Sequence, residues 1–219
     1  MNDIYLFLIY SVALLGVMLL AEAAYRFLHL PTEWTRKIAH VGAGIVALTY
    51  PKYIENHWIV LGLTLSFTLI LFISKKQRIF PSIFAVERKS SGELFFVWST
   101  WLLFLLYKTT GNELYFYLPF VIVVFADPAA ALVGQSFPIK HYTIKGHQKS
   151  LGGSLTFLLI SLFLTIFFFP ADHFEDAYFW LFAIIFALIM TIVESVSFKG
   201  VDNISIPLAA IILLNLYLG

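Results

Sequence analysis

Residues 114–134 read LYFYLPFVIVVFADPAAALVG. From Leu114 to Val133 the stretch holds one charged side chain, Asp127. At 1.5 Å per residue, those 20 residues rise about 30 Å. That is the thickness of a bilayer's hydrocarbon core. A helix of this length in water needs a polar face, and this one has none. The stretch is read as a membrane span that carries a carboxylate inside it.

The whole chain follows the same rule. Of 219 residues, 60% are hydrophobic and 12% charged. Mean hydropathy is +0.88. Soluble domains carry roughly 25% charged residues, so a soluble globular enzyme is excluded. Disorder is excluded by the dominance of apolar runs. A net charge of +1 without a basic stripe excludes nucleic-acid binding. The chain has no cysteine, which excludes disulfides, cysteine–zinc sites and thiol catalysis.

Seven further apolar stretches are read as spans: Ile4–Leu28, Lys37–Tyr50, Trp58–Ile73, Leu94–Tyr107, Gly153–Phe169, Tyr178–Ser197 and Ile204–Leu218. They are continuously apolar rather than alternating, which argues for helices over barrel strands. The expected fold is all-α, a polytopic integral membrane bundle of about eight helices forming one domain over residues 1–219. The opening Met1-Asn2-Asp3 lacks a basic region, so the first stretch does not read as a cleavable signal. Twelve of the 14 Lys and Arg residues fall on one set of loops; Lys52 and Lys108 lie on the other. The positive-inside rule puts the richer set in the cytoplasm and both termini outside. The expected location is a bacterial inner membrane, with the reactive face toward the cytoplasm.

Ionisable groups within spans are costly and mark function. Asp127 precedes Pro128, which frees a carbonyl and kinks the helix. Ala126, Ala130 and Gly134 form a small face that lets another helix approach. A carboxylate there suggests a metal ligand; hydrogen bonding across the bundle is the plainer alternative. Glu194, with Asp202 and Asn203 after it, offers hard oxygen ligands suited to Mg²⁺. Asp202 or Asn203 capping the last helix is the alternative. Arg36, Lys37 and His40 open the second span at helical spacing, where a cation pair suits an anionic phosphate. Headgroup snorkelling explains the cations equally. Glu22 and Arg26, four apart, form either an ion pair or part of a substrate site.

Two cytoplasmic loops complete the pattern. Residues 145–154 read KGHQKSLGGS and enter a helix. Lys145 and Lys149 supply charge, while Ser150, Gly152, Gly153 and Ser154 allow backbone N–H groups to approach a phosphate. A flexible connection with a helix cap is the alternative. In the other loop, Arg88 and Ser90 suit phosphate, or Ser90 and Glu93 close a capping box. A carboxylate metal site and a phosphate cradle on one membrane face imply nucleotide-dependent chemistry on a lipid.

These residues, in this order, resemble the polyprenol kinase family of phytol kinases, dolichol kinases and CTP-dependent diacylglycerol kinases. The resemblance runs from about residue 36 to 207 and rests on Arg36-Lys37-x-x-His40, Arg88-x-Ser90-x-Gly92-Glu93, Asp127-Pro-Ala-Ala-Ala-x-x-Gly134, Lys149-Ser150-x-Gly152-Gly153-Ser154, Glu194, Asp202-Asn203 and Pro207. It implies an all-helical kinase that uses CTP or another nucleoside triphosphate to phosphorylate an isoprenoid or related lipid alcohol. In that frame Asp127, Lys149, Glu194 and His40 are the catalytic candidates. Asp127, Glu194, Asp202 and Asn203 are the candidates for Mg²⁺. Lys145, Lys149, Ser150, Gly152, Gly153, Ser154, Arg36, Lys37, Arg88 and Ser90 are the phosphate candidates. The implied partners are the lipid alcohol, the nucleotide and membrane lipids, not nucleic acid. A CDP-lipid synthase related to phosphatidate cytidylyltransferases is the alternative, and a non-enzymatic lipid transporter is a third.

Overall fold

The computed structural model describes residues 2–85, 91–137, 139–144 and 147–219. Arg88 and Ser90 of the loop before α6, and Lys145 of the loop before α9, lie outside the described residues. The chain divides into two compact units, 1–110 and 111–219.

In the first unit, α1 (Asp3–Phe27) starts at Asn2, whose side chain accepts the Ile4 N–H at 3.1 Å. Leu6, Tyr10, Leu14, Met18 and Ala21 form its buried stripe, a helical repeat of four and three. Ile4, Leu8, Val12, Leu19 and Leu20 lie outside it, and Val12 is 69% exposed. An outer surface this apolar is solvated by hydrocarbon rather than water. The remaining elements are α2 (Thr32–Ala47), α3 (Tyr50–Tyr53), α4 (His57–Gln77), α5 (Pro81–Phe84) and α6 (Gly92–Thr110). Leu14, Met18, Phe67, Leu71 and Ile83 meet in the core.

One buried polar knot ties three of these elements. Glu22 pairs with Arg26 at 2.5 Å and accepts the Ser82 N–H of α5 at 3.2 Å. Thr35 of α2 donates to the Ser82 carbonyl at 2.7 Å. The Glu22–Arg26 ion pair expected from spacing forms, and the same carboxylate fixes α5.

In the second unit, α7 (Leu114–Val121) and α8 (Asp127–Ser136) join through a π-helical turn at Ile122–Ala126. Pro128 lacks an N–H, and its ring would press on the carbonyl four residues back. The wider turn meets this constraint: the Asp127 N–H bonds the Ile122 carbonyl, five residues back. π turns of this kind occur often at functional sites. This helix is the most enclosed of the long apolar ones, with 61% of its most apolar stretch buried against 22–39% for the others. Around it pack α9 (Leu151–Phe168), α10 (Ala177–Val196) and α11 (Asp202–Leu218). Between α8 and α9 stands a two-stranded antiparallel hairpin, β1 (His141–Ile144) and β2 (His147–Ser150).

All eight stretches read as spans fall on helices. Five helices are long and apolar enough to cross a membrane: Asp3–Phe27, His57–Gln77, Leu114–Ser136, Leu151–Phe168 and Ala177–Val196. α11 is apolar but shorter, at 17 residues, and α2 has 16. The protein is thus a membrane helical bundle with one small hairpin that the all-α expectation omits.

Glu22→Ala removes the acceptor of a buried N–H, which costs about 1–3 kcal/mol. Thermal unfolding in detergent will show Glu22→Ala destabilised by that amount. Glu22→Gln, which keeps an acceptor for Ser82, will lose less.

Candidate active site

Of the sequence candidates of the second unit, Lys149, Ser150, Gly152, Gly153, Ser154 and Glu194 lie where the hairpin meets α8, α9 and α10. β1 and β2 pair with Tyr142 opposite Lys149 and Thr143 opposite Gln148. Successive strand side chains point to opposite faces. Lys149 therefore turns one way and Ser150 the other.

Lys149 reaches α10. Its ammonium donates to the Glu194 backbone carbonyl at 3.1 Å and pairs with the Glu194 carboxylate. Glu194 is 5% exposed, on the last turns of α10. A carboxylate buried beside hydrocarbon needs a cation, and Lys149 supplies it. An ammonium carries three donors. Two go to Glu194, which leaves one for a ligand.

Ser150 reaches α8 and α9. It is 6% exposed and caps α9 by accepting the Gly153 N–H at 3.1 Å. The Leu151 N–H is also taken, by the carbonyls of Ile139 and Lys140, both at 3.1 Å. Gly152 and Gly153 are buried. A Cβ at Gly153 would sit 2.8 Å from the Ala130 carbonyl oxygen, and one at Gly152 would sit 2.9 Å from that of Phe137. A Cβ at Gly134 would lie 2.8 Å from Ser150 Oγ. The small face of α8 thus receives α9 directly. In the structure the glycines bring two helices together and the serine closes a helix end, the capping alternative of the sequence reading. Ser154 points to the hairpin instead, sharing a 2.6 Å hydrogen bond with Tyr142.

Asp127 begins α8 one turn before Ala130 and is half-buried. Asp202 stands in the first turn of α11, accepting the Asn203 N–H at 3.0 Å; Asn203 is buried. The turn leading there is closed by a 2.8 Å hydrogen bond between Ser197 and Ser205, with Lys199 and Gly200 in the left-handed region. Among the described residues, no three His, Asp or Glu side chains gather into a metal cage. Of Asp127, Glu194, Asp202 and Asn203, Glu194 is engaged by the Lys149 ammonium. Mg²⁺ ordinarily takes one or two protein carboxylates and completes its shell with phosphates and water. Asp127 and Asp202 fit that smaller demand.

The first unit carries the other candidates. Arg36 lies 3.6 Å from Glu33 on α2 and is largely buried. Lys37 is half-buried. The His40 ring packs on Phe96 at 4.2 Å between centroids. Glu93 pairs with Lys75 at 3.0 Å; the capping box with Ser90 falls outside the described residues.

Spacing along the chain missed two features. The hairpin has a signal: the β-prone His-Tyr-Thr-Ile run at 141–144 precedes a Lys-Gly dipeptide. The Lys149–Glu194 pair has none, because 45 residues separate its members.

The chain is 31% identical over 195 residues to the phytol kinase of Synechocystis sp.; the match covers 89% of this chain and 84% of that protein. This chain belongs to the polyprenol kinase family. No family model and no solved structure matches it. Within this member of the polyprenol kinase family, the Asp127–Gly134 and Lys149–Ser154 motifs are packed against each other through Ala130, Gly134, Ser150 and Gly153.

Gly153→Ala places a methyl against backbone, and overpacking of this kind costs about 1–3 kcal/mol. A methyl added at Gly16, on α1, would meet nothing within 4 Å, so Gly16→Ala gains about 0.5–1 kcal/mol from helix propensity. Thermal stability in detergent will fall for Gly153→Ala and rise for Gly16→Ala.

Proposed function

We propose that this membrane protein is a lipid-alcohol kinase that transfers the γ-phosphoryl group of CTP, or another nucleoside triphosphate, to the hydroxyl of an isoprenoid-type alcohol at the cytoplasmic membrane face. The observation that carries this reading is the alignment with a phytol kinase over 89% of the chain. The apolar helix surfaces support it: a long-chain alcohol partitions into the hydrocarbon that bathes them. The two units would serve one membrane-embedded kinase domain, with eight spans and both termini outside.

In this reading the phosphate end of the donor sits at the hairpin side of the second unit. Lys149 gives its remaining N–H to a phosphate oxygen. Ser154 and Tyr142 offer hydroxyls to the same anion. Asp127 and Asp202 are the carboxylates that would hold Mg²⁺, which would supply charge neutralisation at the phosphates. Asp127 is the carboxylate set inside an apolar stretch, so it is the side chain suited to orient an alcohol hydroxyl. Phosphoryl transfer has a loose transition state, which rewards positioning and charge over a strong base. Arg36, Lys37 and His40 form an anion-binding face of the first unit by themselves, suited to lipid phosphate.

The test uses purified protein in micelles with phytol and labelled CTP. γ-Label will enter the lipid and α-label will not; α-label in the lipid would make the protein a CDP-lipid synthase. Asp127→Asn will lower turnover at least about a hundredfold, as removal of a transition-state charge contact does, without unfolding.

Topology has its own test, aided by the absence of native cysteine. A cysteine replacing Asp172 will react with an impermeant thiol reagent in intact cells. One replacing Lys140 will react only after permeabilisation.

A further inference from the structure

We infer that Glu194 is the positioning residue for Lys149, holding its ammonium so that one N–H faces the donor's phosphate, and is not a metal ligand. This rests on the kinase reading above.

Three observations converge on it. First, the Glu194 carboxylate, buried on α10, is engaged by Lys149. Second, the Glu194 backbone carbonyl takes a second donor of the same ammonium at 3.1 Å. A lysine held at two points by one residue has lost its swing: an exposed lysine samples many rotamers, and this one has a single approach. Third, Lys149 is the last-but-one residue of a strand whose neighbour, Ser150, is locked into the α8–α9 crossing. The backbone and the head of the side chain are thus both fixed, which leaves the third N–H with one direction. A metal at this carboxylate would have to share it with the ammonium.

Pairing also sets the charge. The Lys149–Glu194 pair is neutral as a unit, so the resting pocket does not bury a bare ammonium. An arriving phosphate then meets a cation already desolvated and aimed, which strengthens the contact made in the transition state.

The experiment uses the full-length protein in micelles, with two readouts. In the first, acylation of Lys149 by a succinimidyl ester is followed by mass spectrometry, with and without tripolyphosphate and Mg²⁺. In the wild type Lys149 will react slowly, and tripolyphosphate will slow it further. In Glu194→Gln it will react about tenfold faster, the scale of one lost hydrogen bond to a charged group, and tripolyphosphate will protect it poorly. Equal reactivity and equal protection in both proteins would overturn the inference.

In the second, phytol phosphorylation is measured against CTP and Mg²⁺ concentration. Glu194→Gln will lower kcat/KM for CTP about tenfold to a hundredfold at an unchanged half-saturating Mg²⁺ concentration. Glu194→Asp will recover part of the loss. The double variant Lys149→Met with Glu194→Gln will be no worse than Lys149→Met alone, because the two act as one unit. Losses that multiply, or a half-saturating Mg²⁺ concentration raised more than tenfold by Glu194→Gln, would make Glu194 a metal ligand and sink the proposal. If the wild type transfers no γ-label to any lipid alcohol, the kinase reading fails, while the acylation readout still decides the Lys149–Glu194 assignment. Circular dichroism of each variant separates these results from unfolding.

Discussion

The contact between α8 and α9 is the constraint on which the second unit depends. Gly153 lies so near the Ala130 carbonyl that a methyl group would stand 2.8 Å from it. In hydrocarbon there is no water to expel between helices, so association relies on backbone proximity and on polar contacts. Glycine and alanine allow that proximity here. Once α9 is held against α8, Ser150 must lie beside Gly134, and the strand that ends at Ser150 has its direction fixed. Lys149, one residue earlier, then faces α10. The placement of a cation thus follows from the absence of side chains elsewhere.

The same economy of polar groups governs the first unit. Glu22 is surrounded by apolar helix surface, where an unpaired carboxylate is untenable. It has a cation one turn away in Arg26 and a backbone donor in Ser82. The second contact does more than neutralise: it fastens α5, a single turn, against α1. Thr35 holds the other side of the same residue. A short element in a membrane protein stays ordered when its backbone groups have such partners.

The sequence is legible wherever one residue type answers one physical demand. Apolar length answers bilayer thickness: the eight apolar stretches fall on helical segments, and five of the helices are long and apolar enough to cross a membrane. The i,i+4 spacing of Glu22 and Arg26 answers an ion pair, which forms. Legibility ends where one residue type answers two demands. Glycines before a helix suit both a phosphate cradle and a tight crossing, and no local pattern separates the two. Gly152 and Gly153 serve the crossing, a fact set by residues 130–137 and not by their own neighbours. Pro128 signals a disrupted helix but not the form of disruption; the π turn arises upstream, in five apolar residues with nothing unusual about them. Glu194 reads as a hard oxygen ligand because a carboxylate in a span needs a cation, and the sequence does not say whether that cation is a metal or a lysine.

A carboxylate shared between Mg²⁺ and an ammonium would bring two cations within a few ångströms, where they repel, so a site with both groups favours a separate carboxylate for each. In the structure Lys149 engages Glu194, while Asp127 and Asp202 each stand in the first turn of a helix. The geometry of the hairpin, more than the count of acidic residues, decides which carboxylate does which work.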